Sequence, residues 1–113
     1  MATINNVNFD DVAKDALQAA KAVVADNWNA VSDMLENLAE GIVNDVAFIT
    51  KKKADGEFNE NDARVYLEDQ KMLARVRLRS VAIITLQIAE RIWNAMAEIF
   101  RAAINKALGW TII

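Results

Sequence analysis

The chain has 113 residues, of which 54% are hydrophobic and 26% charged, with a net charge of −3. This composition fits one folded domain rather than a disordered segment, and the acidic balance argues against nucleic acid as the main partner. Cysteine and histidine are both absent, which removes disulfides, thiolate metal sites and the commonest general base together.

Proline is also absent, and glycine occurs only at Gly41, Gly56 and Gly109. A β-rich fold of this size needs many turns, and turns draw on these residues. The expected fold class is therefore all-α. The first residues carry no basic start followed by an apolar core, so they do not read as a secretory signal. The longest uncharged run within the expected helices is residues 80–89, about half of the roughly 20 residues a membrane span requires. A soluble, cytoplasmic chain is the expectation, with leaderless export as the route to any other location.

The first helix signal is Val7-Asn8-Phe9-Asp10-Asp11-Val12. Asn8 can accept from the N–H of Asp11, the two aspartates suit the positive end of the helix dipole, and Val7 and Val12 stand where a hydrophobic staple would be. Apolar residues then recur at helical spacing from Val12 through Val24, Leu35, Ile42 and Ile49. The first helix is expected over about 9–53, ending in Lys51, Lys52 and Lys53. It has two weak points, Asp26-Asn27-Trp28-Asn29 and Gly41, either of which could break it.

Residues 54–59 form the one clear turn, with Gly56 able to take the left-handed conformation that ends a helix. Asn59 then caps a second helix, with Asp62 three residues on. No glycine or proline interrupts residues 60–108, so one helix is expected there, followed by an apolar tail over 109–113. Two helices of about 67 and 73 Å, at 1.5 Å per residue, joined by a short turn, predict an antiparallel hairpin. In that hairpin Ile4 and Val7 come near Trp110 and Ile113.

Residues 81–88 are the most informative stretch. In a continuous helix Val81, Ile83, Ile84, Leu86 and Ile88 would point to nearly every side, and a helix apolar all round must be buried all round. One partner helix covers one side only. A second hairpin, giving a dimeric four-helix arrangement, is the simplest cover, and Val81, Ile83, Ile84, Leu86, Ile88, Trp93 and Trp110 form the expected oligomer interface. The alternative is a first helix that breaks near Asn27, so that its pieces surround the segment within one chain.

Folding about residue 57 sets Glu36 and Glu40 beside Arg79 and Arg75, so these four are expected to form interhelical ion pairs rather than a site for an anionic ligand. Asp33, Glu36 and Glu40 share a helix face on which Mg²⁺ could sit, but a carboxylate face is more often solvated or ion-paired. Residues 51–62 superficially echo a calcium loop, yet Lys51 and Lys53 fall on ligand positions, and lysine cannot ligate calcium. No catalytic, cofactor or metal site is assigned. The expected function is a non-enzymatic structural or scaffolding subunit whose partner is itself, as a dimer, a larger oligomer or a filament. A membrane-active or lipid-binding helical protein is the second reading, and a Mg²⁺-dependent all-α hydrolase the third.

Overall fold

The computed structural model describes residues 3–81 and 84–110. Among these, 84% are helical, well above the usual third. A two-stranded antiparallel ribbon, β1 (Thr3–Ile4) and β2 (Val7–Asn8), leads into α1 (Phe9–Val24). A 3₁₀ turn over Ala25–Asn27 separates α1 from α2 (Trp28–Ala54), and α3 (Glu60–Arg79) and α4 (Leu86–Leu108) follow.

Local chemistry sets each boundary. The Asn8 carboxamide accepts from the Asp10 and Asp11 amides at 3.0 and 3.3 Å. Asn59 and Asp62 form a reciprocal capping box at 2.8 and 3.0 Å, and the Thr85 hydroxyl accepts from the Ile88 amide to open α4. Gly109, at φ 70°, closes α4, and Gly56, at φ 74°, makes the turn after α2.

The helices differ from the two long rods expected from sequence. The first break falls at Ala25, which takes φ 50° and ψ −116°, next to a run of poor helix formers. Gly41 lies inside an uninterrupted α2. The expected single helix over 60–108 is two helices, because α3 stops at Arg79 and α4 starts at Leu86. Ser80 donates its hydroxyl to the Arg77 carbonyl at 2.6 Å, and the Ile84 amide donates to the Val81 carbonyl at 2.9 Å, so the chain turns here. Val81, Ile83, Ile84 and Thr85 are β-branched and lose side-chain freedom in a helix. Their run, rather than a glycine or proline, marks the break.

The result is an up-down-up-down bundle of four helices within one chain. Asn5, in the β1–β2 turn, donates from Nδ2 to the Ala107 carbonyl, so α1 begins beside the end of α4. Lys53 Nζ donates to the Leu108 carbonyl and lies 4.7 Å from the Trp110 ring centroid, so α2 ends there too. Principal dimensions of 43 × 24 × 19 Å match this arrangement; a two-helix hairpin would be about 70 Å long.

The core lies mainly between α1, α4 and α2, with α1 packed most extensively on α4. Fully buried Ala16 and Ala20 let these helices approach, and Phe9 stacks on Phe100 with ring centroids 6.4 Å apart. On α2, Val31, Leu35, Leu38, Ile42, Val46 and Ile49 form the inward stripe. α3 contributes less: its buried residues are Ala63, Leu67, Ala74 and Leu78.

A Cβ built at Gly41 meets no atom within 4 Å. Gly41→Ala is therefore expected to stabilise the protein by up to about 1 kcal/mol, the helix-propensity difference. Chemical denaturation checks this, and a loss of stability would mean that the glycine serves a close approach invisible in the fold.

Candidate functional site

The residues expected to form an oligomer interface divide among several environments. Ile84 and Trp93 are buried inside the bundle, Val81, Ile88 and Trp110 are half-buried against the core, and Leu86 is exposed. Ile83 lies outside the described residues, as do residues 111–113 of the apolar tail. Ile84 is directed into its own chain's core, so part of the apolar character of this segment's described residues is satisfied internally.

The ion pairs expected between α2 and α3 are not the ones that form. Arg75 pairs with Glu90 of α4. Among the described residues no ion pair links Arg75 or Arg79 to Glu36 or Glu40. The register about residue 57 is nonetheless close, since Asp45 meets Tyr66 and Gln70 across it. The helices are rotated instead: Glu40 faces a groove shared with Thr3, Ile4 and Asp10, while Arg75 turns toward α4. Among the described residues no three carboxylates converge to hold a metal ion.

Two features of α3 were not singled out from sequence. The first is a polar cluster joining it to α2. Tyr66 Oη and Gln70 Nε2 both donate to Asp45 Oδ1, at 3.2 and 2.9 Å. The cluster borders a cleft of about 240 Å³ lined also by Gly41, Arg77 and Trp93. Burial pushes the Asp45 carboxyl above its ordinary range, opposed by the bonds from Gln70 and Tyr66 and by the Arg77 charge. Burial and the neighbouring carboxylate likewise push the Tyr66 hydroxyl up.

A carboxyl whose pKa is higher in the folded state binds its proton more tightly there. Its contribution to stability is therefore fully present below the unfolded value of about 3.8 and is lost as pH rises through the folded value. Asp45→Asn keeps an oxygen to accept both bonds and carries no charge. The variant is expected to melt higher than wild type at neutral pH, with the gap closing in acid. Thermal melts across pH 3–7 would contradict this if the gap were the same throughout or opened in the other direction.

The second feature is the outward face of α3. Val65, Met72, Leu73 and Val76 are 54%, 56%, 53% and 69% exposed, and Leu86, at the start of α4, is 48% exposed. At about 100° per residue Val65, Met72 and Val76 fall within some 40° of one another on the helix. Glu68 and Asp69 flank this line in the N-terminal half of α3, and Arg75 and Arg79 flank it in the C-terminal half. Single exposed apolar residues are ordinary, whereas Val65, Met72 and Val76 form an aligned row on one helix. The sequence did carry a signal for it: the i, i+7, i+11 spacing of 65, 72 and 76 sets them on the side of the helix opposite the core stripe of 63, 67, 74 and 78.

No described helix is long and apolar enough to cross a membrane. No family model, curated protein or solved structure matches the chain. Its functional reading therefore rests on its own residues.

Proposed function

We propose that this chain is a non-catalytic helical subunit that works by self-association, and that its contact surface is the outward face of α3. The observation that carries the reading is the row Val65, Met72 and Val76, each more than half exposed on a helix whose opposite face is in the core. Covering such a side chain is worth roughly 1.5–3 kcal/mol when burial is complete. The absence of histidine and cysteine removes the commonest general base and thiol chemistry. Assembly on this reading joins complete four-helix bundles rather than long hairpins. The contact surface accordingly moves from residues 81–88 to α3 and the neighbouring Leu86.

Light scattering of the purified chain at high micromolar concentration is expected to give the mass of a dimer or larger. Val76→Asp is expected to shift the species to monomer, because an unpaired charge is costly to bury in the contact. A wild-type monomer under these conditions would refute self-association. A wild-type oligomer whose mass is untouched by Val76→Asp would place the contact elsewhere.

A further inference from the structure

We infer that the α3 face takes the α3 face of a second copy of this chain, in antiparallel orientation across a twofold axis midway between Val65 and Val76. The inference rests on the self-association reading above and adds to it the orientation of the partner. Its basis is the way charge is divided along the helix. From Glu60 to Asp69 the residues include four carboxylates, Glu60, Asp62, Glu68 and Asp69, against one arginine, Arg64. From Lys71 to Arg79 they include four cations, Lys71, Arg75, Arg77 and Arg79, and no acid.

The residues lining two shallow surface depressions repeat this division. At the N-terminal end of the face, a recess of about 410 Å³ is lined by Phe58, Val65 and Tyr66 together with Glu57, Asp62 and Asp69. At the C-terminal end, a recess of about 450 Å³ is lined by Val76, Ser80 and Leu86 together with Arg75 and Arg79. Each end thus pairs an apolar floor with lining charges of a single sign; at the basic end Arg75 is already met by Glu90 of α4, so the charge complementarity there rests on Arg79.

A parallel pair of α3 helices would set acid on acid and base on base. An antiparallel pair sets the acidic end of each copy on the basic end of the other, twice, with Val65 of one near Val76 of its partner. This is the self-complementary arrangement that a closed twofold dimer requires. A partner of uniform charge, such as nucleic acid or an anionic lipid surface, would match one half of the face and be repelled by the other. The helix is about 30 Å long, short for a standard interface of about 800 Å² per partner, so the contact is a reversible one.

The native chain has no cysteine, so introduced thiols report orientation without interference. Val65→Cys and Val76→Cys, mixed and oxidised gently, are expected to form the mixed disulfide, while neither variant alone crosslinks to itself. Disulfides need Cα atoms within about 7 Å, and in the antiparallel pair like positions lie about 16 Å apart along the axis. Separately, Glu68→Lys/Asp69→Lys reverses the two acids that flank the face nearest its middle and is expected to weaken self-association by about tenfold. Both sites are exposed, and a circular dichroism melt verifies that the variant is folded.

Self-crosslinking of each thiol variant would mean a parallel pair. An oligomeric wild type with no crosslink of either kind, or one indifferent to the charge reversal, would move the contact off this face. Either result overturns the antiparallel pair and leaves self-association standing. A monomeric wild type that binds anionic vesicles overturns both.

Discussion

Replacing Phe100 with alanine is expected to destabilise the protein by about 3–5 kcal/mol, the range for emptying a fully buried aromatic site. Phe100 has no exposure and stacks on Phe9 at 6.4 Å, with 13° between the rings. Phe9 is the first residue of α1 and directly follows the Asn8 cap. The pair therefore fixes where the first helix starts relative to the last one, beside the Asn5 bond to Ala107. Domains of this size are stable by about 5–15 kcal/mol, so the loss is a large share of the total. At about 4–8 °C per kcal/mol for a domain near this size, the midpoint should fall by more than about 10 °C. A drop of under about 1 kcal/mol in denaturant unfolding would show that the site collapses readily, and that the α1–α4 contact is not the centre of the core.

How far the sequence foretold this bundle depends on which physical signal each feature used. Caps are local chemistry, and Asn8, Asn59 and Gly109 stand at the boundaries that their types implied. Register across a short turn is geometry, and the Asp45–Tyr66–Gln70 cluster lies where folding about residue 57 puts it. Rotation of a helix about its axis is set by packing against all neighbours at once. A two-helix picture cannot supply it: it points Arg75 at α2 carboxylates, whereas Arg75 pairs with Glu90 of α4. The break between α3 and α4 was missed for a different reason. Counting only glycine and proline as breakers overlooked the β-branched run at 81–85, whose individual costs are a few tenths of a kcal/mol but which acts together with the Thr85 cap.

That break also changes the meaning of the apolar stretch. A rod that is apolar on every side needs outside cover; a turn that dips Ile84 into the core needs much less. The exposed apolar row on α3 was harder to separate from the core stripe by periodicity alone. Residues 65, 72 and 76 and residues 63, 67, 74 and 78 all recur at helical spacing, and only the position of α2 and α4 decides which set is inside. The exposed row is therefore a product of tertiary packing, whereas the fold class follows from composition.

Trp93→Ala is expected to cost about 3–5 kcal/mol and, unlike Phe100→Ala, to loosen one helix more than the rest. Trp93 is 6% exposed on α4 and borders the clefts on both sides of α3, one shared with Leu67 and Lys71 and the other with Gln70 and Ala74. The indole therefore lies beneath the middle of α3. Two of that helix's four buried residues are alanines, Ala63 and Ala74, and these bury little area of their own. Without the indole, α3 keeps Leu67, Leu78, the Asp45 cluster and the Arg75–Glu90 pair. The last of these is a partly exposed ion pair of modest worth. Local opening of α3 should then require much less free energy than global unfolding. Native-state hydrogen exchange is expected to show amides between Leu67 and Leu78 accelerating by a larger factor than those between Ala16 and Val24 on α1. Because the proposed contact surface is the outer face of α3, self-association should weaken in the same variant although no contact residue has changed. Equal acceleration on both helices would mean that the bundle unfolds as one unit. In that case α3 would be held by more than its small buried face.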